Sequence, residues 1–258
     1  MLKKNLSFWP YLICVIFIFL ISTLAWQAKY FEIDASADTL LVDNNKHYIL
    51  SQLADQRYGS EEFILIAFKP NNAALFSASN LNTLVDIADK IEQLPRVKQV
   101  NSIANMPIFS AADNVSADVA NLTWEKQKFD EQTLSLSLKK HPLYEGLLIN
   151  QAQTALSLQV VFNSQTDIEA VNNDIIAIKQ HLLNRDLTKR ELNSLAQLKK
   201  QQQNLNKQLE QTRINEIEKI RTILAPYKKV GSFYLGGNNL LSYELIQIIQ
   251  SDLVLFGS

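Results

Sequence analysis

The feature that most constrains this chain is a charge-free apolar run at residues 8–26, centred on Tyr11-Leu-Ile-Cys-Val-Ile-Phe-Ile-Phe-Leu-Ile21. Coiled as a helix at about 1.5 Å per residue, the run covers roughly 28 Å, close to the hydrocarbon thickness of a bilayer. Trp9 and Trp26 stand at its two ends, where amphipathic rings prefer the headgroup layer. Lys3 and Lys4 precede it, and Glu32, Asp34 and Asp38 follow. The positive-inside bias then predicts a cytoplasmic N-terminus at residues 1–7, a transmembrane helix at 8–28 and an exported remainder. A cleaved signal peptide, cut after Thr23-Leu24-Ala25, is the alternative, and it exports the remainder equally. Cys14 is the only cysteine, which excludes an intramolecular disulfide and a multi-cysteine metal site. Its place in the apolar run gives it the role of a small residue facing lipid.

Composition narrows the exported part. A chain of 258 residues with 47% hydrophobic and 20% charged residues has the material for a core and is not disordered in bulk. A formal net charge of -1 lacks the basic surplus of a nucleic-acid binder, so no nucleic-acid partner is expected.

Along residues 29–250 the pattern alternates between strands and helices. Polar clusters around Leu40-Leu41-Val42 mark a connecting segment. Glu62-Phe-Ile-Leu-Ile-Ala-Phe-Lys69 predicts a strand ended by Pro70, with Phe63 and Leu65 on one face and Ile64, Ile66 and Phe68 on the other. A strand apolar on both faces is covered on both sides. Leu81, Leu84, Val85, Ala88 and Ile91 recur at helical spacing, capped by Ser77 or Ser79 and stopped by Pro95. Residues 97–103 form a second short strand, and residues 104–150 carry no clear period, as in an insertion. The alternation of Leu156, Leu158, Val160 and Phe162 predicts a third strand, half-buried.

Residues 167–225 contain neither glycine nor proline. Ile168, Val171, Ile175, Ile178 and Leu182 stripe one helix. Thr188 with Glu191 matches a capping box that opens a second helix, and Leu195, Leu198, Gln202, Leu205 and Leu209 stripe it. Ile214, Ile217, Ile220 and Leu224 continue after a phase slip. So narrow a stripe suits a helical hairpin projecting into solvent, or helices packed flat on the sheet. A fourth strand at 229–235 and a last helix from about Leu240 complete the order strand-helix-strand, insertion, strand-helix-strand. The expected class is α+β: a transmembrane helix, then a ferredoxin-like split βαβ domain with a long helical hairpin insertion, its first and third strands paired centrally.

Several stretches in this order resemble the RND superfamily of exporters, in particular its MMPL-like and sterol-sensing-domain-like transporters. They are Phe31-Glu-Ile-Asp-Ala-Ser-Ala-Asp-Thr-Leu-Leu41, Tyr58-Gly-Ser-Glu-Glu-Phe63, Leu94-Pro-Arg-Val-Lys-Gln-Val-Asn-Ser-Ile103 and His141-Pro-Leu-Tyr144. Leu235-Gly-Gly-Asn-Asn239 follows, leading into Gln250-Ser-Asp-Leu-Val-Leu-Phe-Gly257. The resemblance implies that residues 29–250 are a periplasmic loop of the porter domain and that residues 251–258 begin a second transmembrane helix. It also implies an inner-membrane location and proton-driven export of lipids or other hydrophobic or amphiphilic compounds. The implied partners are the lipid bilayer, the rest of the transporter, other porter subdomains and a lipid-like substrate. The alternative function is a membrane-anchored periplasmic adaptor or sensor whose coiled-coil hairpin docks a partner.

The residues carry no catalytic, cofactor or metal signature. His47, His141 and His181 have no ligand spacing. Glu61-Glu62 and Asp130-Glu131 are expected on the solvated surface, and Lys199-Lys200 on a helix face. Gly231 to Gly237 lacks the Lys-Ser/Thr ending of a phosphate loop. Neither an enzyme nor a cofactor is expected.

Overall fold

The computed structural model describes residues 9–28, 45–59, 61–71, 74–108 and 121–257. The expected cytoplasmic residues 1–7 and the Leu40-Leu41-Val42 piece of the connecting segment, expected over residues 30–60, lie outside them, and residues 46–58 of that segment form a helix. The elements in chain order are α1 (Trp9–Ala28), α2 (Lys46–Tyr58), β1 (Glu62–Pro70), α3 (Ala78–Glu92), β2 (Val97–Ser102), α4 (Trp124–Gln127) and α5 (Glu131–Leu138). Then come β3 (Leu156–Phe162), α6 (Thr166–Gln180), α7 (Lys189–Leu224), β4 (Gly231–Gly236) and α8 (Asn238–Gly257). Contacts divide the chain into two compact units, Met1–Thr39 and Leu40–Ser258.

Helix α1 accounts for the first unit's described residues, and its described side chains are all exposed. Thr23 Oγ1 turns back to donate to the carbonyls of Phe19 and Leu20, each at 2.9 Å. This corrects the expected fold class. Among the described residues the structure is a mixed α/β fold of eight α-helices and a four-stranded antiparallel sheet, and none of these helices is long and apolar enough to cross a membrane. Residues 12–21 are the longest stretch of α1 free of proline, hydroxyl and amide side chains, with Pro10 and Tyr11 before it and Ser22, Thr23 and Gln27 after it. Residues 251–257 are the last two turns of α8, which runs on unbroken from Asn238.

In the second unit the sheet runs β2-β3-β1-β4, every neighbour antiparallel. The two most apolar strands lie at the centre, where both edges are hydrogen-bonded. Period-two alternation sends Ile64, Ile66 and Phe68 of β1 to one face, with Val160, Leu158 and Leu156 of β3 opposite them in register and Phe162 opposite Glu62. Leu81, Leu84, Ile87 and Ile91 of α3 and Ile217, Ile220 and Leu224 of α7 close over this face in a single core. Each such side chain adds about 1.5–3 kcal/mol over leaving it in water. Phe68 stacks on Phe233 of β4, ring centroids 4.8 Å apart. Gly231 permits this, because a Cβ there would stand 2.5 Å from the Phe68 ring and 2.6 Å from the Lys69 carbonyl. On the opposite face Phe63 is 38% exposed and Tyr234 61%, so the covering expected for both faces of β1 is incomplete.

The helical stretch divides its labour. Thr188 caps α7, its hydroxyl accepting from Glu191 N at 3.3 Å while Thr188 N donates to Glu191 Oε2 at 2.8 Å. The first part of α7 lies on α6 around a small core of its own, Val171, Ile175 and Leu195, with Ile178, Leu187, Leu198 and Leu205 at its margins. Gln202 Nε2 donates to Asn172 Oδ1 at 2.7 Å across this seam. Only the second part of α7 reaches the sheet's core. Hairpin and flat packing are therefore both present, joined in one continuous helix.

Candidate functional site

Charge is concentrated where β1 begins. Glu62 shares its parity with Ile64, Ile66 and Phe68, so its carboxylate points to the helix-covered face. Arg96 follows Pro95 in the turn between α3 and β2, while Arg213 and Glu216 come from the face of α7 that carries Ile217 and Ile220. Asn239 belongs to the first turn of α8.

Arg96 is the hub. Its Nε and Nη2 donate to Glu216 Oε1 and Oε2 at 2.9 and 2.7 Å, a bidentate pair. Its Nη1 and Nη2 also donate to Glu62 Oε2 and Oε1 at 3.0 and 3.2 Å, and Nη1 reaches the Asn163 carbonyl at 3.2 Å. The guanidinium lies 4.7 Å over the Phe162 ring, an added cation–π attraction. Arg213 Nε and Nη2 donate to the two oxygens of Glu62 at 2.8 and 3.0 Å, and Asn239 Nδ2 adds a bond to Oε1 at 2.8 Å.

Burial pushes the Glu62 carboxyl up, but the bonds and charges of Arg213 and Arg96 outweigh it and hold it down at about 2. Burial likewise opposes charge on Arg96, and the bonds from Glu216 and Glu62 reverse that, raising its pKa. Two cations and two anions cancel, and the Glu62 oxygens are crowded with donors. The cluster is a junction that ties strand, turn and two helices together, with no oxygen of Glu62 left for proton transfer.

This corrects the expectation that Glu62 is solvated surface. The clue was in the sequence: the parity of β1 puts Glu62 on the buried face, and helical spacing puts Arg213 and Glu216 beside Ile217 and Ile220. Glu61 is exposed and pairs with Lys98 at 2.6 Å. Asp130 caps α5, accepting from Gln132 N and Thr133 N at 3.0 and 2.9 Å. The three histidines stay apart. His47 is exposed on α2, His141 stacks on Tyr144 at 4.3 Å, and His181 Nδ1 meets Glu191 Oε1 at 2.7 Å. Among the described residues no group of three His, Cys, Asp or Glu side chains is placed to hold a metal ion. A shallow, open groove of about 520 Å³ lies beside α7, lined by Leu94, Glu218, Lys219 and Ile223 among others.

Comparison with family models, with curated proteins and with solved structures yields no match to this chain.

Proposed function

We propose that the α/β unit contributes to the periplasmic porter domain of a proton-driven exporter of the RND/MMPL type, moving lipids or other amphiphilic compounds. One observation carries this reading. Three of the stretches on which the resemblance rests, Tyr58-Gly-Ser-Glu-Glu-Phe63, Leu94-Pro-Arg-Val-Lys-Gln-Val-Asn-Ser-Ile103 and Leu235-Gly-Gly-Asn-Asn239, each supply one member of the ion cluster: Glu62, Arg96 and Asn239. Stretches far apart in sequence thus meet at one charged junction. The half-open sheet face around Phe63 and Tyr234 suits a lobe that packs against further porter subdomains. The unit would stand on the periplasmic side of the inner membrane, beside the bilayer and the rest of the transporter.

The test has two arms. Alkaline phosphatase fused after Gly236 should be active outside the cytoplasm, and cells lacking the gene should retain an amphiphilic dye until the gene is restored. A reporter active only in the cytoplasm, or unchanged dye retention, would overturn the proposal. The second reading, an adaptor or sensor, is favoured by the hairpin of α6 and α7 with its separate core. Under that reading, removing the hairpin abolishes partner capture, while dye retention is indifferent to the gene.

A further inference from the structure

The two edges of the sheet are built differently. The β2 edge carries the exposed Lys98 and a register shift between Val97 and Gln99, devices that discourage another strand from adding. The β4 edge has neither: Gly231–Gly236 contains no charge and no proline, and no strand among the described residues pairs with its outer side. Ser232 and Tyr234 are exposed along it.

The chain segments that run into and alongside β4 carry no carboxylate of their own. No carboxylate occurs between Glu62 and Asp86 or between Glu218 and Glu244, the stretches that supply most of β1, all of β4 and the turns beside them. Lys228 and Lys229 come just before β4, and Lys69 lies on β1 opposite Ser232. All three are exposed. Asn71 fixes their arrangement, its N donating to the Val230 carbonyl at 3.0 Å and its Nδ2 to the Lys229 carbonyl at 3.1 Å. Asp86, which reaches the neighbouring Tyr227, is occupied by Tyr227 and Lys90.

We propose that the outer edge of β4 receives an extended segment of a partner protein whose carboxylates lie against Lys228, Lys229 and Lys69. The backbone of the segment pairs with β4 at about 4.8 Å, and its alternate side chains rest on Tyr234. The lysines fix which end of the segment is acidic. An anionic lipid surface would use the lysines and leave the row of edge amides and carbonyls idle. A second copy pairing β4 to β4 would offer these lysines no carboxylate, since residues 219–243 contain none.

The probe is a fluorescein-labelled eight-residue peptide alternating valine and threonine and ending in three glutamates, titrated by anisotropy into the full chain in detergent. Binding should weaken at least tenfold in Lys228→Glu/Lys229→Glu, weaken in 0.5 M salt, and disappear when alternate amides of the peptide are N-methylated. Circular dichroism checks that the variant remains folded. Absence of binding, equal binding of the N-methylated peptide or of a lysine-ended one, or dimerisation of the chain that Tyr234→Glu abolishes would each overturn the assignment.

Discussion

Glu62 accepts hydrogen bonds from Arg96, Arg213 and Asn239, and its folded-state pKa falls from about 4.5 to about 2. A carboxyl depressed on folding stabilises the fold above its unfolded pKa and loses that contribution as pH falls through the folded one. The Glu62 contribution, on the order of 3 kcal/mol, should therefore be whole above pH ~4.5 and gone below ~2. Denaturant titrations at stepped pH should trace that loss, and Glu62→Gln should flatten it while costing about 3 kcal/mol at neutral pH, because Arg213 loses its counter-charge and Arg96 keeps only Glu216. An unchanged acid limb would sink the assignment. Arg96→Lys should cost about 1–3 kcal/mol at neutral pH, since an ammonium cannot serve two carboxylates bidentately and lie flat on Phe162. This residue-level site was legible only in half. Strand parity and helix spacing are enough to put Glu62, Arg213 and Glu216 on buried faces, but the meeting of residues 62, 96, 213 and 239 depends on topology that no local pattern carries.

Among elements, the hairpin of α6 and α7 was the most legible, because a period of alternating threes and fours, a capping pair and a lack of glycine and proline are all local. The threes-and-fours spacing holds with Gln202 in a seam position, and there Gln202 bonds Asn172. That pair makes a distinctive prediction. Gln202→Leu alone should destabilise the hairpin by about 1–3 kcal/mol by leaving Asn172 without its partner, whereas Gln202→Leu with Asn172→Leu should be near neutral. Amide exchange along α6 measures it, and additive losses in the double variant would refute the pairing. Thr188→Ala should cost about 1 kcal/mol, seen as faster exchange in the first turn of α7. The apolar run at residues 8–26 misled for the opposite reason. Absence of charge over residues 8–26 does not make the run uniformly lipid-like, since residues 12–21 are flanked by Pro10, Ser22, Thr23 and Gln27.

At the scale of the α/β unit, the question is whether the hairpin is part of the fold or an outgrowth of it. The main core draws on β1, β2, β3, α3 and the later part of α7, whereas Val171, Ile175 and Leu195 form a separate cluster. The Gln202–Asn172 bond fixes the antiparallel register of the two helices, so the start of α6 lies near residue 208 of α7. The ion cluster enters α7 only at Arg213 and Glu216. Excising residues 168–206 and closing the gap with a short Gly-Ser linker should therefore leave the sheet, its core and the Glu62 junction intact. Helix α2 would pay, because it packs on α6 and buries Ile49 completely. Exposing that side chain costs about 1.5–3 kcal/mol. The shortened protein should still unfold in one cooperative transition, somewhat less stable, with the acid limb of Glu62 preserved. Loss of cooperative unfolding would mean that the hairpin's small core and the sheet's large one are a single structure after all, and that α7 transmits order along its whole length.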